Sequence, residues 1–239
     1  MSNWLADVCR ITLFTCEPLD FKKTEWWENV VGNEQDNREE IRREGKIIDS
    51  GSFYQDEYYT LYLSRENQRI DWVVKSSADD PSLSNIESCI SLMDDVLPKF
   101  HSMITPWLDV CPAINRIAFG SVLLEVVTSR SSGYKKLNQY LHGIEIDAEK
   151  SKDFHYRINR PRAYNLGDEH IEINRLSTWG VIQRINLLHN KPDLFFTNLA
   201  TDINTDAERK QPINTNVLPD LLKTLVNYSN EITEQGDLP

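Results

Sequence analysis

The densest set of residues able to do binding chemistry is His155-Tyr156-Arg157-Ile158-Asn159-Arg160-Pro161-Arg162-Ala163-Tyr164, with three Arg and two Tyr in ten residues. It lies in a chain whose 26 Lys and Arg are outnumbered by 37 Asp and Glu. A guanidinium presents a planar fork of N–H donors that matches carboxylate and phosphate oxygens, and Arg and Tyr are the residue types that anchor protein interfaces. Side chains alternate along a strand, so Arg160, Arg162 and Tyr164 share one face and Arg157 takes the other. Arg175 and Arg184, on the strands expected beside this one, extend the set. Two readings follow. Arg157, Arg160, Arg162, Tyr164, Arg175 and Arg184 form a surface for an anion or a protein partner, or they sit on a solvated sheet face and pair with Glu172 and other carboxylates. The second has the larger weight, because surface ion pairs are common and individually worth little.

No local pattern specifies catalysis. The chain has no G-x-G-x-x-G, no G-x-x-x-x-G-K-[ST], no G-x-S-x-G and no H-E-x-x-H. His101, His142, His155, His170 and His189 are scattered, with no two at a ligand-like i, i+4 spacing. Asp79 and Asp80 read as a helix cap, and Asp202 and Asp206 as parts of a polar segment. No catalytic residue, metal or cofactor is therefore expected from the motifs. Triads and metal sites need not be local, so an enzyme site assembled from distant residues such as Asp71, His155 and Asp202 stays as an alternative.

The formal charge of −11 works against bare nucleic acid and against an anionic membrane, both of which bind through Lys and Arg. It suits a soluble protein, or one that meets a basic partner. The first residues carry neither a basic region nor a long apolar run, and no stretch nears the ~18 apolar residues of a membrane span. Cys9, Cys16, Cys89 and Cys111 form no C-x-x-C pair, so they read as reduced thiols of a cytoplasmic protein.

The elements that must position these residues come in a regular order. A strand is expected over 7–18, then a short helix from a Thr24 cap to Gly32, then an exposed and mobile polar segment, Asn33 to Gly45. Strands at 46–54, 57–64 and 68–75 follow, the last two joined through Arg65-Glu66-Asn67. A long helix starts at Asp80-Pro81 and carries Ile86, Cys89, Ile90, Met93, Val96, Leu97 and Phe100 as its apolar stripe, with Pro98 interrupting it. The second half offers a strand at 114–128, a loop from Ser129 to Gly133 and a short helix ending at Gly143. Strands at 153–164, 169–176, 179–188 and 194–203 follow. Asn216 caps a final helix with Leu218, Leu221, Leu222, Leu225 and Ile232 on one face, and Gln235 to Pro239 fray. Of the adjacent Trp26 and Trp27, a helix can bury only one well.

The two halves echo each other. Arg10-Ile11 and Arg116-Ile117 are each followed within three residues by a Phe, and Gln68-Arg69-Ile70-Asp71 resembles Gln183-Arg184-Ile185-Asn186. The expected fold is thus α+β: two similar β-α-β(3-4)-α units, 1–112 and 113–239, forming a largely antiparallel curved sheet with long amphipathic helices on one face. The two units can also make one continuous domain.

The Asn115-Arg116-Ile117 strand, the short helix ending in Tyr140-Leu141 and the Thr201-Asp202-Ile203-Asn204 strand before a terminal helix resemble a sporadically distributed prokaryotic family. Its members are of about this size and have no assigned activity. The resemblance implies a cytosolic, non-enzymatic accessory protein of the kind tied to mobile-element or antiviral defence loci, and it supplies no site residues. The duplicated order is also similar to the saddle of the TATA-box-binding protein, an analogy of element order only. The functional expectation is a non-enzymatic binding protein that docks a protein partner. The alternatives are a nucleic-acid or nucleotide-binding protein using the Arg-rich strand face, and the assembled enzyme site.

Overall fold

The computed structural model describes residues 3–20, 25–53, 56–76, 91–167, 169–184 and 193–238. Ten strands are found there: β1 (Leu5–Thr15), β2 (Asn37–Ile41), β3 (Lys46–Phe53), β4 (Asp56–Glu66), β5 (Arg69–Ser76), β6 (Ile114–Val127), β7 (His155–Asn159), β8 (Arg162–Leu166), β9 (Glu169–Arg184) and β10 (Leu194–Thr205). They form one antiparallel sheet in the order β2-β3-β4-β5-β1-β6-β10-β9-β7, with β8 also on β9. The helices are α1 (Trp26–Val31), α2 (Met93–Ile104), α3 (Arg130–Tyr140) and α4 (Leu218–Gln235), with 3₁₀ turns at Thr105–Asp109 and Thr215–Val217.

β1 and β6 run side by side at the middle of the sheet, and their alternation defines its two faces. Cys9, Ile11 and Leu13 of β1 and Ile117, Phe119 and Leu123 of β6 are buried on one face. The helical elements pack there. Cys9 Sγ lies 3.8 Å from Met93 Sδ of α2. Thr201 Oγ1 is 2.8 Å from both Ser121 Oγ and Ser229 Oγ of α4. Lys136 of α3 reaches Glu125 at 2.8 Å. Trp72 of β5 is stacked on Trp27 of α1 with centroids 6.2 Å apart, and meets the edge of Trp107 at 5.6 Å. Each large apolar side chain so buried contributes about 1.5–3 kcal/mol, which makes this face the main source of stability. Trp27 is the buried member of the adjacent pair, while Trp26 sits edge-on to Trp107 at 5.6 Å.

The expected architecture is corrected. The molecule is mainly one large antiparallel sheet, and its helices are short, at 6, 12, 11 and 18 residues, rather than long amphipathic helices laid over one face. Two local effects contribute to the difference. The charged segment Asn37–Ile41, expected as a mobile loop, pairs with β3 as an edge strand, where exposure on both faces suits Arg38, Glu39 and Glu40. The segment Glu169–Arg184 is one strand of 16 residues where two were expected, because Ser177 and Thr178 continue the ladder to β10 instead of turning. The second helix begins at Met93 among the described residues, and its expected start at Asp80-Pro81, with Cys89, lies outside them. Pro98 is accommodated inside this helix.

Smaller differences have equally local causes. The third helix starts at Arg130 rather than Tyr134, because Ser129 caps it in a capping box with Ser132. Asn214, not Asn216, supplies the capping side chain before the last helix. The expected single strand 153–164 is broken between β7 and β8, yet both keep one register on β9, with His155 opposite Gly180 and Arg162 opposite Ile173. Pro161 makes the break, since it has no N–H for a ladder and is tolerated only on an edge.

Candidate functional site

The face of the central strands opposite the helices carries the chemistry. Alternation puts Arg69, Asp71, Val73 and Lys75 of β5 on it, with Val8, Arg10, Thr12 and Phe14 of β1. Arg116, Ala118, Gly120 and Val122 of β6 follow, and Ala200, Asp202 and Asn204 of β10. The register aligns these into rows. Arg69, Phe14 and Arg116 stand side by side, then Asp71, Thr12, Ala118 and Asn204, then Val73, Arg10, Gly120 and Asp202, then Lys75, Val8, Val122 and Ala200. Four cations face two carboxylates in these rows, the reverse of the balance of the whole chain.

Two arginines hold Phe14 between them. The Arg116 guanidinium lies 4.7 Å from the Phe14 ring centroid and the Arg69 guanidinium 5.8 Å from it. Arg69 is tied to Asp71, with Nε 2.7 Å from Oδ2, and Thr12 donates its hydroxyl to Asp71 Oδ1 at 2.5 Å. Arg116 donates one N–H to Asn204 Oδ1 at 3.0 Å, and Asn204 donates in turn to Asp202 at 3.0 Å. The Arg116 Nε–H has no acceptor among the described residues. Lys75 lies 4.8 Å from the Tyr62 ring centroid.

Arg10 differs from all of these. It makes no hydrogen bond or ion pair among the described residues. Its side chain lies across the sheet toward β6: Nη2 is 3.8 Å, and Nε 4.0 Å, from where a Cβ at Gly120 would stand. The missing side chain at Gly120 gives the guanidinium a shallow bed. Arg10 and Arg116 are equivalent members of the Arg-Ile echo. Antiparallel pairing places Arg10 opposite Gly120 and Arg116 opposite Phe14, so the two arginines lie diagonally across the middle of one face.

The residues singled out in the sequence divide between the two faces. Arg160, Arg162, Tyr164 and Arg175 lie on the helix side and grip α4 and the segment after it. Arg160 makes a two-pronged bond to Asp237 at 2.8 and 3.0 Å, and Arg162 does the same to Glu231 at 2.9 and 3.0 Å. Arg175, itself buried, reaches Glu231 at 3.3 Å, and Arg162 and Arg175 stack on Tyr228 at 4.9 and 5.2 Å. Tyr164 accepts a hydrogen bond from Thr224. The carboxylates come from α4 and its end, not from Glu172. Hydrogen bonding from Arg162 holds Glu231 below the usual carboxylate range, and hydrogen bonding from Arg160 does so for Asp237, while burial pulls Arg175 down. Asp237, expected in a frayed tail, is buried and donates its backbone N–H to Tyr140 O at 2.9 Å. Arg157 is exposed on the open face, and Arg184 stands on the same face, paired with Asp7 at 2.6 Å.

Asp71, His155 and Asp202 do not converge. Asp71 and Asp202 are three strand spacings apart, about 14 Å, and His155 is farther out on β7. Among the described residues no group of three side chains could hold a metal ion, and no helix is long and apolar enough to cross a membrane. Sequence reading singled out none of Arg10, Phe14, Arg69 and Arg116 as candidate binding residues. The available signal was the alternation in Val8 to Phe14, which sends Arg10, Thr12 and Phe14 away from Cys9, Ile11 and Leu13.

No protein-family model and no curated protein matches the chain.

Proposed function

We propose that the chain is a binding module that docks a protein partner through the open face of β5, β1, β6 and β10. One observation carries the reading: Arg10, without a hydrogen bond or ion pair among the described residues, lies over Gly120 at the middle of the sheet, near Phe14 with its two guanidinium neighbours. A cation without a counter-charge adds nothing to the stability of the fold through pairing. Arg and aromatic side chains gathered at the centre of a surface are the usual energetic anchors of protein interfaces. Arg157 and Arg184 stand on the same face and widen the surface toward β9. The free thiols of Cys9, Cys16 and Cys111 support a reducing, cytoplasmic setting for this partner.

The test compares the wild-type chain with the variant carrying Arg10→Glu and Arg116→Glu as baits for quantitative capture from source cells. Proteins held by the wild type are expected to be lost from the variant, whose helix-face core is untouched. Retention of the same proteins at the same yield would overturn the docking face.

A further inference from the structure

Resting on that docking reading, we propose that the open face takes an extended acidic segment of the partner, with two carboxylates four residues apart. Two cations of this face that make no ion pair among the described residues reach over β6 or stand on it. The Arg10 guanidinium lies over Gly120, and Arg116 stands four residues away on the same strand. At 3.4 Å per residue the two backbone positions are about 14 Å apart. In an extended chain, residues i, i+2 and i+4 point to the same side, and i and i+4 span that distance. A segment laid along β6 therefore brings one carboxylate to Arg10 and the next to Arg116.

Charge agrees with this occupant. Among the described residues Arg10 makes no hydrogen bond or ion pair and Arg116 donates to the neutral Asn204, so a carboxylate would give each guanidinium a counter-charge. The four cations against two carboxylates of these rows attract an anionic segment within the ~8 Å over which charge acts at physiological salt. A nucleic acid fits less well. Two guanidiniums already lie against the Phe14 ring, at 4.7 and 5.8 Å from its centroid, where a base would stack, and a long polyanion would run beyond the patch over a chain of net charge −11.

The experiment is fluorescence anisotropy on the full chain with labelled peptides. The peptide Glu-Val-Thr-Val-Glu has carboxylates at i and i+4, Glu-Val-Thr-Glu-Val has them on opposite sides, and Gln-Val-Thr-Val-Gln has none. Oligothymidylate is the competing polyanion. The first peptide is expected to bind in preference to the others, and Arg10→Gln or Arg116→Gln to weaken it by roughly tenfold each. The double variant Arg10→Glu with Arg116→Glu is expected to bind Lys-Val-Thr-Val-Lys instead, a gain that unfolding cannot imitate. Equal binding of the two Glu peptides, indifference to both Gln variants, or preference for oligothymidylate would overturn the acidic occupant. Capture of cellular proteins that depends on Arg10 and Arg116 while every acidic peptide fails removes this occupant and leaves the docking face. Capture indifferent to both residues removes the docking face itself.

Discussion

At the scale of single residues, the position of a charge decides whether it serves the fold or a partner. Arg65 of β4 and Asp49 of β3 are buried together on the helix face, with Arg38 3.4 Å from the same carboxylate and the Trp26 ring 6.0 Å from the Arg65 guanidinium. Burial pulls the Arg65 guanidinium below its usual pKa, and Asp49 opposes that shift. Removing one member of a buried pair leaves an uncompensated charge. Asp49→Ala is therefore expected to lower stability by about 3–5 kcal/mol in urea titration. Arg10→Gln should change it by less than about 0.5 kcal/mol, because Arg10 makes no hydrogen bond or ion pair among the described residues. In the structure Asp49 alternates inward with Ile47, Gly51 and Phe53. Nothing local showed that its counter-charge would come from the neighbouring strand.

At the scale of elements, α4 is held at its C-terminal end by the arginines of β8 and β9. Glu231 and Asp237 have folded-state pKa values held below the ordinary range by Arg162 and Arg160, respectively. A carboxylate with a depressed folded pKa contributes stability that is fully present above its unfolded value of about 4. That contribution is lost as the pH falls through the folded value. Protection of the amides in the last turn of α4 and at Asp237, measured relative to the intrinsic exchange rate at each pH, should accordingly be high at pH 5 and fall toward pH 3. In a variant with Glu231→Gln and Asp237→Asn, protection should already be low at pH 5, with a weaker pH dependence. A pH response equal to that of the wild type would contradict the clamp. Gly236 belongs to the same arrangement. Its φ of 78° is left-handed, and a Cβ there would stand 2.1 Å from Tyr140 O, so only glycine lets the chain turn into the Asp237 contact.

At the scale of the whole molecule, the pairing of β1 with β6 joins the chain's two halves through ten register pairs. Side chains cross the same seam: Trp4 lies 5.5 Å from Tyr140 and 6.3 Å from Trp179, and Asp7 pairs with Arg184. Residues 1–112 and 113–239 made as separate chains would each expose a long apolar strand edge and lose part of one continuous core. Circular dichroism should find neither piece cooperatively folded alone, and mixing them should restore a single transition. Independent cooperative unfolding of either piece would count against the seam as the organising contact.

The sequence by itself determined the local grammar. The strands from Lys46 to Ser76 and the turn before β5 were legible in it. So were the Gly32 cap, the burial of one of the two adjacent tryptophans, and the separation of Arg157 from Arg160, Arg162 and Tyr164 by strand alternation. These follow from side-chain period and turn chemistry, which act over a few residues. Tertiary structure alone decided which arginines are occupied. Arg160 and Arg162 find their carboxylates 77 and 69 residues away, while the register of β1 on β6 sets Arg10 and Arg116 together on an open face. Charge pairing depends on which distant strands become neighbours, and no local periodicity encodes that.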